Sequence, residues 1–293
     1  MVNVKLLCQK AKSASRSLAL TPTEKKNCVL MYLAEWMLTH QSSIMQANQL
    51  DISESRAAGL SSAMIDRLVL SEDRIRGIVT DLQNVVELPD PVGEIFEERT
   101  MDNGLFLRKQ RVPLGVLAVI YESRPNVTID VASLAIKSGN AIILRGGKET
   151  IHSNEVLVKG IHSALSEAGL STDIVQFISD PNREHVETLL KMYAYVDMLI
   201  PRGGAGLHKY CRENSLIPVI TGGIGVCHLF VDESADLDRS MEVIRNAKIQ
   251  RPTVCNALDT VLIHQNVARD LIKRLLSRLS KDGVSFRFDD RAI

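Results

Sequence analysis

The sequence predicts an α/β protein built on a parallel sheet, with a helical block and one hairpin ahead of the sheet and a second β–α–β run behind it. Three observations carry that prediction. Apolar residues recur at helical spacing between Val4 and about Val86, and after Pro113 short apolar runs alternate with helical patterns. Hydrophobic residues make up 45% of the 293 positions, enough to build a substantial core, so a disordered or fibrous chain is excluded.

The first block is read from its periodicity. Leu30, Leu33, Ala34, Trp36 and Met37 share a helical face expected to be core, and Thr21-Pro22-Thr23-Glu24 reads as a cap with proline at the first helical position. Leu88-Pro89-Asp90-Pro91 breaks this pattern. From Glu94 to Gln110 the alternation is strand-like around Asp102-Asn103-Gly104, a strong short-range hairpin signal. A hairpin between a helical block and an α/β block needs something to pair with, and the expectation is a partner subunit.

After Pro113 the strands are expected at Leu114–Tyr121, Ala141–Leu144, Ile174–Ile178, Val196–Ile200 and Ile217–Ile220. Between them helices are expected at Ile129–Lys137, Glu155–Glu167, Arg183–Met192 and Gly206–Glu213. Elements of these lengths in this order predict a parallel sheet with both faces covered. A second run follows: strand from His228 to Val231, helix from Asp238 to Lys248, strand from Leu258 to His264 and helix from Val267 to Leu279. The pair Gly222-Gly223 is the expected crossing between two lobes. The expected division is therefore 1–225, holding the N-terminal helices, a cofactor lobe and a hairpin arm at about 94–112, and 226–293, the first part of a second lobe.

Composition narrows the function. Thirty-five Lys plus Arg balance thirty-five Asp plus Glu, which argues against a surface that coats nucleic acid. Cys8, Cys28, Cys211, Cys227 and Cys255 are odd in number and widely spaced, unlike a disulfide framework or a zinc knuckle. The N-terminus lacks a signal-peptide core and no run approaches a membrane span, so no membrane partner and a reducing, cytoplasmic setting are expected. His208 and Cys211 share a helix face and Cys227 adjoins His228, but no third ligand follows, so no metal is expected.

Two glycine-rich loops stand between a strand and a helix. Arg145-Gly146-Gly147-Lys148 would bring backbone amides and two cations to one place, although Ile142 and Glu149 rule out a Walker A loop. Pro201-Arg202-Gly203-Gly204-Ala205-Gly206 fails the dinucleotide fingerprint because Lys209 stands at the third glycine. Either loop by itself reads as a tight turn or as a phosphate contact. Together at one end of a parallel sheet they lie where ligands bind. Cys255, between a helix and a strand and close to Arg251, is the candidate reactive thiol; Cys8, Cys28 and Cys211, on predicted helices, are expected to be buried and inert.

Five stretches then point to a family. VLAVIYESRPNVT from Val116 to Thr128, ILRGGKET from Ile143 to Thr150, MLIPRGGAGLH from Met198 to His208, IPVITGGIGVC from Ile217 to Cys227 and QRPTVC from Gln250 to Cys255 resemble, in order, the γ-glutamyl phosphate reductase family of the aldehyde dehydrogenase superfamily. The resemblance implies an aldehyde dehydrogenase-like α/β fold: a parallel-sheet cofactor-binding lobe, an incomplete α/β catalytic lobe and a β-hairpin arm through which a homo-oligomer forms. It implies NADP(H) as cofactor and γ-glutamyl phosphate as substrate, reduced to glutamate 5-semialdehyde in proline synthesis, with glutamate 5-kinase supplying that labile substrate. Position by position it implies Cys255 as nucleophile and Asn126 as the oxyanion amide. Glu122, Ser123, Arg124, Arg145, Gly146, Gly147, Lys148, Gly203 and Gly204 would be cofactor contacts, with Lys148 facing the 2′-phosphate. Arg124 and Arg251 are candidates for the substrate's carboxylate or its phosphate. Ile220-Thr221-Gly222-Gly223 stands where hydrolytic members carry a glutamate base. Family members extend beyond the position of Ile293, so the sequence allows a second expectation, a truncated, non-catalytic nucleotide-binding remnant.

Overall fold

The computed structural model describes residues 2–222, 225–252 and 254–291. The chain divides into two units, Met1–Gly222 and Gly223–Ile293. Gly223, half of the expected crossing, lies outside the described residues.

Five helices open the first unit: α1 Val4–Leu18, α2 Thr23–Thr39, α3 Gln41–Ala57, α4 Ser62–Leu68 and α5 Glu72–Glu87. Their starts follow local chemistry. Asn3, Ser61 and Ser71 each turn a side-chain oxygen back to a backbone N–H of the first turn of α1, α4 and α5, supplying the acceptor that the helix end lacks. At α2 the sequence expectation needs correction. Pro22 is itself the extended residue before the helix, and the Thr23 hydroxyl donates to Asp90 at 2.7 Å rather than capping. Beside it Lys26, 1% exposed, forms a buried ion pair with the same Asp90 carboxylate. Cys28 is exposed, not buried, because α2 turns Val29, Leu30, Leu33 and Met37 inward and leaves residue 28 on the other face.

The hairpin pairs β1 Ile95–Thr100 with β2 Phe106–Gln110, antiparallel. Its turn differs from the two-residue type that Asn-Gly suggests. Gly104 alone takes the left-handed conformation (φ +84°), its N–H donates to the Met101 carbonyl at 2.8 Å, and Met101 N–H donates to the Leu105 carbonyl. That is a longer loop with the glycine supplying the one conformation other residues resist. Glu94, Glu97 and Glu98 pair across the strands with Arg111, Lys109 and Arg108, while Phe96, Leu105 and Phe106 are more than half exposed.

The sheet that organises the unit has the parallel order β5-β4-β3-β6: β3 Val116–Tyr121, β4 Ala141–Arg145, β5 Val175–Phe177 and β6 Met198–Arg202. Strand alternation sorts its side chains into two cores. Leu117, Val119, Tyr121, Ile142 and Leu144 pack with α2, α5, α6 (Asn126–Lys137) and α7 (Ile151–Glu167). Val116, Ala118, Ile120, Ala141 and Ile143 pack with α1, α8 (Arg183–Leu189) and α9 (Ala205–Asn214). Both faces are covered, as the near-continuous apolar strands predict.

The expected strand Ile217–Ile220 shrinks to one parallel bridge between Leu199 and Val219. Leu199 donates to Pro218 O and accepts from Ile220 N–H, each at 2.9 Å. Extending that ladder in one direction calls on the amide of Pro201, and in the other on that of Pro218. Neither has an N–H to give.

The second unit pairs β7 Cys227–Val231 in parallel with β8 Leu258–Ile263, and α10 (Leu237–Ile249) and α11 (Gln265–Leu279) pack on them through Ile244, Leu271, Leu275 and Leu279. Asp236 caps α10 through two N–H groups. No helix among the described residues is long and apolar enough to cross a membrane.

Candidate active site

The order β5-β4-β3-β6 reverses direction at β3, so a crevice opens beyond the carboxyl ends of β3 and β6, where ligands of such sheets bind. The loops after these strands are tied to each other. Glu122 N–H donates to Arg202 O at 3.1 Å, and Gly204 N–H donates to the Glu122 carboxylate at 3.1 Å. A Cβ at Gly203 would sit 2.5 Å from that carboxylate, so any larger residue there would push the Glu122 side chain off its bond to Gly204. Glu122 therefore shapes the Gly203-Gly204 loop, a role its sequence gave no sign of. Ser123 follows with φ +44°, the one non-glycine residue of positive φ among those described, and strain of this kind gathers at functional loops. Arg124 is half-buried before Pro125.

The loop after β4 packs against the same place. A Cβ on Gly146 would meet the Asn154 amide nitrogen at 2.2 Å, and one on Gly147 would meet the Glu149 carboxylate at 2.5 Å and Ser123 N at 3.4 Å. Behind the loop runs a buried chain of side chains. Tyr121 Oη bonds Thr128 at 2.7 Å, Thr128 donates to Asn154 at 2.8 Å, Asn154 donates to Thr150 at 2.9 Å, and Thr150 donates to Gly147 O at 3.2 Å. The N-terminus of α7 is capped from far away. Asp51 of α3, 1% exposed, accepts from the N–H groups of His152 and Ser153 and from the Ser153 hydroxyl. Burial nevertheless pushes the Asp51 carboxyl up from its ordinary value, against the pull of those donors.

The two cations of this loop do not act alike. Arg145 donates from Nη1 to Gly146 O at 3.0 Å and from Nη2 to Pro181 O at 2.7 Å, and burial lowers its pKa. Its Nε is buried with no partner among the described residues. Lys148 is exposed at the start of a single 3-10 turn, Lys148–Thr150.

Asn126 begins α6, half-buried, and its Nδ2 donates to the Asp130 carboxylate one turn along at 2.8 Å. Desolvation raises the Asp130 pKa to about 6; the bond from Asn126 opposes the rise, nearby Asp81 adds to it and Arg202 opposes it. Asp130 was missed from the sequence; its i, i+4 spacing to Asn126 is the signal that could have found it, and nothing there marked this half-buried carboxyl as desolvated.

In the second unit Cys255 is exposed on the turn between α10 and β8. Its carbonyl accepts from Cys227 Sγ at 3.5 Å, and a Cβ on Gly225 would lie 3.3 Å from that oxygen. Arg251 is exposed in the same turn, and Thr253 between them lies outside the described residues. Cys8 and Cys211 are buried, their thiols pushed up to about 12 and about 11 by burial, so neither competes as a nucleophile.

The sequence model of the aldehyde dehydrogenase family matches residues 2–290. The chain belongs to the aldehyde dehydrogenase family. Within that family it groups with the γ-glutamyl phosphate reductases. It is 55% identical to the γ-glutamyl phosphate reductase of Vibrio cholerae over 279 residues, 95% of this chain and 67% of that one. The crystal structure of γ-glutamyl phosphate reductase from Thermotoga maritima covers 99% of the chain with a TM-score of 0.91 at 37% identity, matched over 70% of its own length. The enzyme of that name from Saccharomyces cerevisiae matches with a TM-score of 0.70 at 30% identity, over 97% of this chain and 71% of its own. The chain thus spans about two thirds of the length of these aldehyde dehydrogenase relatives.

Proposed function

We propose that the chain carries the machinery for NADPH-dependent reduction of γ-glutamyl 5-phosphate to glutamate 5-semialdehyde and phosphate, a step of proline biosynthesis. The observation that supports this most is the 55% identity to a γ-glutamyl phosphate reductase across 95% of the chain, a span that includes the exposed thiol Cys255 and the anchored amide Asn126.

The Cys255 thiolate attacks the γ-carbonyl carbon. A C–S bond forms, the carbon–oxygen bond to phosphate breaks, and phosphate departs with the electron pair, leaving a thioester. The reading requires Cys255 and Asn126 to act on one carbonyl, whose oxyanion is stabilised by the Asn126 amide and the Cys255 N–H. One such donor is typically worth ~3 kcal/mol. The residues present fit a dinucleotide: the Nε of Arg145 is a donor that no described residue uses, and exposed Lys148 is a cation suited to a 2′-phosphate. Gly146 and Gly147 would admit its phosphates, and Glu122, Ser123, Arg124, Gly203 and Gly204 would border its nicotinamide half. When bound, the reduced nicotinamide supplies the hydride. Collapse of the thiohemiacetal on Cys255 then restores the thiolate and frees the aldehyde. Ile220, Thr221 and Gly222 offer no carboxylate to activate water, which spares the thioester from hydrolysis. Arg124 and Arg251 are assigned to the substrate's anionic groups. The exposed Phe96, Leu105 and Phe106 of the hairpin suit burial against a second copy.

The test is NADP⁺ reduction by glutamate 5-semialdehyde with and without inorganic phosphate. The expected result is turnover that needs phosphate and disappears in Cys255→Ala. Phosphate-independent formation of glutamate would make the chain a hydrolytic dehydrogenase, and NADP⁺ binding without turnover would make it a non-catalytic nucleotide binder.

A further inference from the structure

We infer that Asp130 is the positioning residue for the Asn126 amide, holding one N–H of Nδ2 so that the other is left for the substrate oxyanion. The inference rests on the proposed oxyanion role of Asn126.

The geometry is local and asymmetric. Asp130 lies one helical turn after Asn126, on the side of α6 where a groove of about 190 Å³ runs between α6 and α5. The groove is lined by Ile78, Leu82, Val85 and Ile129, with Asp81 and Asp130 as its carboxylates. A carboxylate in such surroundings is costly to ionise, and a neutral amide compensates it poorly. Among the described residues the charges acting on it are Asp81 of α5, which opposes ionisation, and Arg202 of β6, which favours it. An alanine or leucine at this helix position would avoid the cost. What the carboxylate supplies instead is orientation. An ionised carboxylate only accepts, so Asn126 must present its NH2 edge and not its oxygen. An NH2 group has two hydrogens, and the second remains available.

Protonation removes that constraint. The acid O–H can donate to Oδ1 of Asn126, and the amide then has two acceptable orientations. With Asp130 raised to about 6, kcat should fall as pH drops through that region.

The experiment is a double-mutant cycle on the full chain with NADPH turnover as readout. Asn126→Ala is expected to lower kcat about 100-fold. Asp130→Ala should lower kcat roughly tenfold, the worth of one hydrogen bond, with little change in KM. The double variant should be no slower than Asn126→Ala, because Asp130 acts only through that amide. Asp130→Asn can donate as well as accept, as the protonated acid can, so it should hold kcat at the low-pH level of the wild type with the limb near pH 6 gone. A loss from Asp130→Ala that persists in the Asn126→Ala background overturns the inference, as does wild-type kcat in Asp130→Ala. A wild-type rate in Asn126→Ala instead removes the oxyanion reading itself, and this inference with it. A readout independent of turnover is the pair of Asn126 side-chain amide protons by NMR, identified by their absence in Asn126→Ala. They should titrate with a midpoint near pH 6 and stop doing so in Asp130→Asn; a flat pair in the wild type overturns the inference.

Discussion

Replacing Asp130 by Asn should stabilise the protein at neutral pH and leave it unchanged in acid. In the folded chain the Asp130 pKa rises from 3.8 to about 6, chiefly through burial. Between those two values the folded state holds a proton that the unfolded state has lost, so stability falls as pH rises through this window and levels off above it. A shift of roughly two units corresponds to about 3 kcal/mol. The ordinary case of a salt-bridged carboxylate has the opposite sign. Asparagine keeps the shape and an acceptor oxygen for Asn126 but carries no charge to bury. For a unit of this size about 3 kcal/mol corresponds to a rise in Tm of roughly 6–12 °C near pH 7.5, shrinking towards zero near pH 4. Urea unfolding of both proteins across this range, followed by far-UV circular dichroism, measures the difference directly. A gap independent of pH, or a variant less stable than wild type at pH 7.5, would refute the assignment of the cost to a buried charge.

The other expectations are more local. Gly146→Ala would place a methyl against the Asn154 amide, breaking the buried chain from Tyr121 to Gly147; a loss of about 1–3 kcal/mol and weaker NADPH binding are expected, read by urea unfolding and calorimetry. Lys26→Ala would remove the cation from the half-buried Asp90 carboxylate, which keeps its bonds from Thr23 and Val92, with a cost of about 1–3 kcal/mol by the same unfolding measurement. Thiol labelling with a chromogenic disulfide should find Cys28 and Cys255 fast, and Cys8 and Cys211 reactive only after unfolding. Cys255→Ala should remove one fast thiol together with all turnover, and Cys28→Ala the other with turnover intact.

Such effects divide sharply by whether their cause is local in sequence. The kinds and order of the elements follow from periodicity: β3, β4 and α7 begin or end within a few residues of where apolar spacing puts them, because burial of one face is encoded every 2 or 3.6 residues. The glycine loops after β4 and β6 were equally legible, since a strand–glycine–helix order fixes which end of a parallel sheet they occupy. What neighbouring residues could not reveal depends on groups distant along the chain. Arg145 spends donors on Pro181, 36 residues away. Asp51 caps a helix about 100 residues later. The last expected strand fails because Pro201 and Pro218 meet at one ladder, where neither can donate. Asp130 is four residues from its partner, yet its raised pKa comes from burial under α5, which no spacing rule reports. The sequence alone thus determined most of the helices and strands and the end of the sheet at which the glycine loops lie. Only the tertiary structure decided which polar groups are desolvated and what they hold, because desolvation belongs to the packed environment and not to the residue.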